Sequence, residues 1–282
     1  MKHLLKLGIV LGGLVACNRA HTGAAFGPSP IPSPRPTPIA TIFSEDFESD
    51  SLAAWQDGVD PERHRIVADP SRAKSGSRYL SVTYPAGRDG GWMTRFFMPG
   101  YDAALVSLYV RFPRGWVGGT KIVGFYGSRI DDQWSGFGKS GVCPKGTDFF
   151  DAMLITQDTG NPGPLKFYTY YPGMVRDPDG VCWGRFGDPS FRFASYGAAP
   201  SLNHDQWHQI EFEVRLNTPG ESNGSQRFWV DGVLGATWTG ISFRDSDILR
   251  VNAAQLSFSS GGVGVPRTQS LDIDQVVVSL IE

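Results

Sequence analysis

From Trp207 to Leu216 apolar and polar side chains alternate without a break: Ile210, Phe212, Val214 and Leu216 face one way, and Gln209, Glu211, Glu213 and Arg215 the other. Period-two alternation of this length describes a strand with one face on a core and the other in solvent. Turn residues follow at Asn217-Thr218-Pro219-Gly220 and Asn223-Gly224, residues 226–230 return as a partner strand, and Asp231-Gly232 makes the next tight turn. Further strands are expected at 80–84, 105–112, 147–156, 165–171, 253–259 and 271–280. Beyond the N-terminal apolar run, no segment carries a long 3.6-residue period. With 35 Gly and 20 Pro to punctuate short strands, the expected fold class is all-β, an antiparallel β-sandwich.

The N-terminus reads differently. Lys2, His3 and Lys6 precede an apolar stretch at 7–16, about half of the ~20 residues that a spanning helix needs, so residues 1–16 are expected to be a secretory signal. The stretch ends in Leu14-Val15-Ala16-Cys17, which resembles the lipobox of bacterial lipoproteins, and that resemblance implies acylation of Cys17. Asn18 follows, where an aspartate would imply inner-membrane retention. Residues 17–42 are rich in proline and have too little apolar mass for a core, the composition of an extended spacer, which the lipobox resemblance implies is lipid-anchored. The expected location is the cell envelope, as an outer-membrane lipoprotein that meets the membrane through its anchor only. One domain is expected over 43–282.

With Cys17 assigned, Cys143 and Cys182 remain, and in an oxidising compartment they are expected to form a disulfide; the alternative is two buried thiols. A formal net charge of −2 gives no bulk-charge attraction for nucleic acid, and a monomer is expected.

The order of features then resembles a known superfamily. Phe43-Ser44-Glu45-Asp46-Phe47-Glu48, Trp55, the run at 207–232 and the closing Leu271-Asp272-Ile273-Asp274 together resemble the concanavalin A-like lectin and glucanase jelly roll. That fold hosts lectins, hydrolases and lyases, so it does not select a function. Lys121-Ile122-Val123-Gly124-Phe125-Tyr126-Gly127, followed by Lys166-Phe167-Tyr168-Thr169-Tyr170, resembles polysaccharide lyase family 14. The resemblance implies an alginate lyase-like enzyme that uses Lys121, Tyr168 and Tyr170 on a polysaccharide. Alternation alone places Lys166, Tyr168 and Tyr170 on one face.

Cleaving a uronate polymer by β-elimination requires an offset for the uronate carboxylate, a base for the C5 proton and an acid for the departing O4. Lysine and tyrosine can serve all three needs, and Arg111 or Lys166 could lower a tyrosine pKa. The family carries Ser-x-Arg on the strand before the tyrosines, whereas this chain has Asp151-Ala152-Met153 there. A cation is missing, and Arg129 is the expected replacement. Trp134 and His204 are expected to line the groove. No cofactor is expected for catalysis, although Glu48 and Asp274, with neighbouring carboxylates, could hold a structural Ca2+ between the first and last strands.

Other chemistries fit less well. Glu211 and Glu213 lie about 7 Å apart on one strand face, but alternating charge on a wet face accounts for them. His204 and His208 are about 13 Å apart on an extended chain and cannot share a zinc ion. The alternative function is a non-catalytic, lectin-like surface lipoprotein that stacks sugars on loop aromatics such as Trp92, Trp134, Trp183 and Phe186. A surface scaffold with no carbohydrate role is a third.

Overall fold

The computed structural model describes residues 35–156, 162–184, 194–196, 201–261 and 264–282. The expected signal at 1–16, Cys17, the spacer up to residue 34 and Phe186 lie outside the described residues. In chain order the strands are β1 (Pro38–Glu45), β2 (His64–Ala68), β3 (Arg78–Tyr84), β4 (Trp92–Tyr101), β5 (Ala103–Arg111), β6 (Lys121–Arg129) and β7 (Phe150–Thr156). They continue as β8 (Leu165–Tyr170), β9 (Ala194–Tyr196), β10 (Trp207–Arg215), β11 (Gly224–Val230), β12 (Val233–Ile241), β13 (Leu249–Ser257) and β14 (Gln269–Ile281).

Among the described residues these strands form two antiparallel sheets, as expected for the jelly roll. The larger runs β2-β3-β14-β5-β10-β11-β12-β9, with β1 also paired to β14; the smaller runs β4-β13-β6-β7-β8. The facing sides meet in one core. Val106, Leu108 and Val110 of β5 and Ile210, Phe212 and Val214 of β10 face Val123 and Phe125 of β6, Leu154 of β7 and Phe167 of β8. Phe212 sits between Phe125 and Phe167, with ring centroids 6.1 and 6.3 Å away. Such aromatic pairs contribute about 0.5–1.5 kcal/mol each beyond simple burial.

Two expectations are corrected. The first strand starts at Pro38, inside the expected spacer, because β14 is long enough to offer pairing partners as far as Ile281, opposite Pro38. The polar face of β10 is not wet: Glu211 and Glu213 are fully buried. Glu211 pairs with Arg35, and Glu213 with Arg215 and Arg227, so cations neutralise this face. Neither glutamate is available as a glycosidase carboxylate.

Candidate active site

The outer face of the small sheet is built by strand register. Thr94, Gln255, Gly124, Met153 and Tyr168 follow one another across the five strands, and beside them run Phe96, Ala253, Tyr126, Asp151 and Tyr170. The glycines of β6 permit close packing on both faces of the sheet, Gly124 on this outer face and Gly127, opposite the core residue Phe150, on the inner one. A Cβ on Gly124 would lie 2.4 Å from the Ala152 carbonyl oxygen and from Met153 Cγ, and one on Gly127 would lie 1.8 Å from the Phe150 ring. A register shift between Lys121 and Val123 lets Lys121 join the outer face.

Lys121, Tyr168 and Tyr170 are brought together as expected. The Lys121 ammonium lies 4.4 Å from the Tyr168 ring centroid, and the phenolic oxygens of Tyr168 and Tyr170 are 3.3 Å apart. Lys121, Tyr126, Asp151, Phe149 and Tyr170 line a cavity of about 50 Å³, roofed by Gly136, Gly138, Lys139 and Ser140. Ser128 latches the roof by accepting the Gly136 N–H, Phe137 stacks on Tyr126 at 4.6 Å, and the Gly141 N–H points to the Tyr170 oxygen at 3.5 Å. Cys143 and Cys182 form the expected disulfide, which packs beside Phe149 and Tyr170.

The electrostatics of this cluster come from burial. Asp151 is 5% exposed, one of its carboxylate oxygens has no hydrogen-bond partner, and burial raises its pKa to about 7 against the pull of Lys121. Burial lowers the Lys121 pKa, and Asp151 opposes that shift. Both tyrosines are raised by burial, but not alike. Either hydroxyl can donate across their contact, but the Gly141 N–H can only donate, and it favours the phenolate of Tyr170. Tyr126 is raised well above its ordinary value by burial and by Asp151, and it donates to Gln255 Oε1 at 3.2 Å.

The remaining expected residues divide. Lys166 shares the outer face of β8 and stands opposite Ile155, as Lys121 does. Trp134 packs edge-on against Phe96 at 4.9 Å, beside Phe137 of the roof, and is 49% exposed. Arg129 does not restore the missing charge, because Asp131 holds it through two hydrogen bonds of 2.9 and 2.7 Å at the far end of β6 from Lys121. Arg111 lies on the other sheet, 2.6 Å from Asp272 and between Tyr79 and Trp207. His204 occupies the turn before β10, next to the Asp205 that pairs with Arg114, and does not line the cavity.

Glu48 and Asp274 do approach each other, as the proximity of Glu48 contributes to raising Asp274 to about 6 behind the larger effect of burial. Their oxygens, however, accept N–H groups of Lys74, Ser75, Ser77 and Arg78. Among the described residues no group of three or more His, Cys, Asp or Glu is arranged to hold a metal ion, so this pair does not fit a calcium cage.

Sequence reasoning missed Tyr126 and Lys139 as site residues and treated Asp151 only as a departure. For Asp151 the signal was present: a lone carboxylate inside the apolar run Phe149-Phe150-Asp151-Ala152-Met153-Leu154.

Residues 73–265 match the family model described as polysaccharide lyase 14. In structure the chain is similar to the PL-14 alginate lyase of Aplysia kurodai, with 17% identity, a TM-score of 0.65, and coverage of 86% of this chain and 100% of that one. It is also similar to the alginate lyase vAL-1 from Chlorella virus, with 16% identity, a TM-score of 0.61, and coverage of 85% and 99%. A third similar structure is the endo-β-1,4-glucuronan lyase of the fungus Trichoderma reesei, with 14% identity, a TM-score of 0.54, and coverage of 85% and 95%. No curated protein matches the chain by sequence.

Proposed function

Since this chain belongs to the polysaccharide lyase 14 family, we propose that it cleaves a uronate-containing polymer, alginate- or glucuronan-like, by β-elimination. The observation that carries the reading is the meeting of Lys121, Tyr168 and Tyr170 on one sheet face, at the contacts given above. Tyr170, whose phenolate is favoured by the Gly141 N–H, takes the C5 proton. Tyr168, which keeps its proton, delivers one to O4 as the C4–O4 bond breaks and the C4–C5 double bond forms. Lys121 offsets the charge that develops on the uronate during proton loss.

Lipidation at Cys17 and residence in the cell envelope are part of the same proposal, supported by Leu14-Val15-Ala16-Cys17 and the proline-rich segment. A monomer meeting a large polysaccharide, without nucleic acid, completes it. The test is incubation with alginate, glucuronan and their carboxyl-reduced forms. Elimination gives fragments with ultraviolet-absorbing unsaturated ends, and hydrolysis gives saturated ones.

A second reading, a lectin-like binder, is favoured by the exposure of Trp92 and Trp134, 46% and 49%. Under that reading Lys121→Ala leaves binding intact and no product forms on any polymer.

A further inference from the structure

The charge balance of the cavity raises a question that Lys121 cannot answer alone. This lysine shares the cavity wall with Asp151, a buried carboxylate whose negative form acts on Lys121. In its ionised form Asp151 offsets Lys121 and repels an entering uronate carboxylate, and burial, which raises its pKa to about 7, favours the neutral form that does neither. A second cation at the cavity would favour an acidic sugar in either protonation state of Asp151.

Of the other candidate cations, Lys166 stands on the outer face of β8 but does not line the cavity, and the rest are committed elsewhere. Met153 supplies none, Arg129 is held by Asp131, and Arg111 is bound to Asp272 on the opposite sheet. Lys139 differs from these. It lines the same cavity as Asp151 and Tyr170 and has no carboxylate partner among the described residues. The roof is also fixed in place: Gly136 is tied to Ser128, Gly141 points to Tyr170, and Cys143, four residues after Lys139, is bridged to Cys182. An ammonium on such a loop loses less freedom on binding than one on a free tether.

We propose that Lys139 is the carboxylate-binding residue of this site, delivered by a disulfide-tethered loop in place of the strand-borne arginine that Met153 has replaced. This inference deepens the lyase reading and rests on it for the substrate class, an acidic sugar. It assigns the roof at 136–141 a role in choosing charged over neutral polymers. Lys139 acts on binding, so its loss raises KM more than it lowers kcat.

The test compares wild-type protein with Lys139→Gln, Lys139→Arg and Lys145→Gln, the last a control at an exposed lysine outside the cavity. Binding of an alginate oligosaccharide and of its carboxyl-reduced form is measured by calorimetry, alongside KM and kcat for product formation. Lys139→Gln is expected to weaken binding of the acidic oligosaccharide roughly tenfold, the loss of one charge-assisted hydrogen bond. It is expected to leave the carboxyl-reduced form unaffected, Lys139→Arg to retain most of the affinity, and Lys145→Gln to match the wild type. Unchanged affinity in Lys139→Gln, or an equal loss on both oligosaccharides, overturns the inference. The two readings fail separately: charge-dependent binding through Lys139 with no product supports Lys139 and removes the lyase, whereas product formation with unaltered KM in Lys139→Gln removes only Lys139.

Discussion

The Lys121 ammonium stands 4.4 Å from the centroid of the Tyr168 ring, on strands separated by β7, and Asp151 of β7 lines the same cavity as Lys121. Asp151 links the two: its charge opposes the lowering of the Lys121 pKa by burial and adds to the raising of the Tyr168 pKa.

For the tyrosines the expected effects differ in form. Because Tyr170 must lose its proton to act as base, and burial raises its pKa above the ordinary tyrosine value, turnover is expected to climb as pH rises through 7–9. Tyr170→Phe is expected to lower kcat by about a hundredfold or more and to abolish that climb. Tyr168→Phe, which removes the acid and the hydroxyl contact to Tyr170, is expected to be comparably slow. Steady-state rates against pH check both.

Asp151 gives a stability signature. Its folded pKa, about 7, lies above the ordinary carboxylate value of 3.8, so the folded state holds a proton that the unfolded state has released between these limits. Stability from this group is complete below about pH 4 and is lost as pH rises towards 7. Asp151→Asn removes the penalty, up to about 4 kcal/mol at neutral pH before the lost Lys121 contact is counted. The variant is expected to show a flatter dependence of melting temperature on pH between 4 and 7.

Gly124 and Gly127 are predicted to be intolerant of alanine. The added methyl at Gly124 meets backbone at 2.4 Å and at Gly127 meets a buried ring at 1.8 Å, so β6 and β7 must separate. A loss of about 1–3 kcal/mol is expected for each, read from denaturant unfolding. Activity is expected to fall with it, because the same strands set Tyr126 against Asp151.

Removing the Cys143–Cys182 bridge by paired Cys→Ala substitutions frees a loop with a sequence separation of 39 residues. The expected loss is about 4 kcal/mol at most. Because the bridge packs on Tyr170, turnover is expected to drop even at temperatures well below the new melting point.

How far the sequence carries can be judged from individual residues. Strict alternation made β10 legible, and the same rule put Tyr168 and Tyr170 on one face of β8. β6 was quoted for its motif but not recognised as a strand, since two glycines lower strand propensity and a register shift after Lys121 breaks the alternation. The buried charge on β10 was misread because its partners, Arg35 and Arg227, come from other segments that local pattern cannot connect. Lys139 left no trace for a similar reason: it sits in a glycine-rich loop, 31 residues before Tyr170, and becomes meaningful only once the roof folds over the sheet.

The central claim is that this lysine and tyrosine face performs elimination. Its most direct test is the ultraviolet absorbance of alginate and glucuronan digests made by the wild-type protein and by Tyr170→Phe, each confirmed folded by its melting curve. A rise with the wild type that Tyr170→Phe removes is the predicted result. A flat trace from folded wild-type protein on both polymers, or an undiminished rise with Tyr170→Phe, would contradict it.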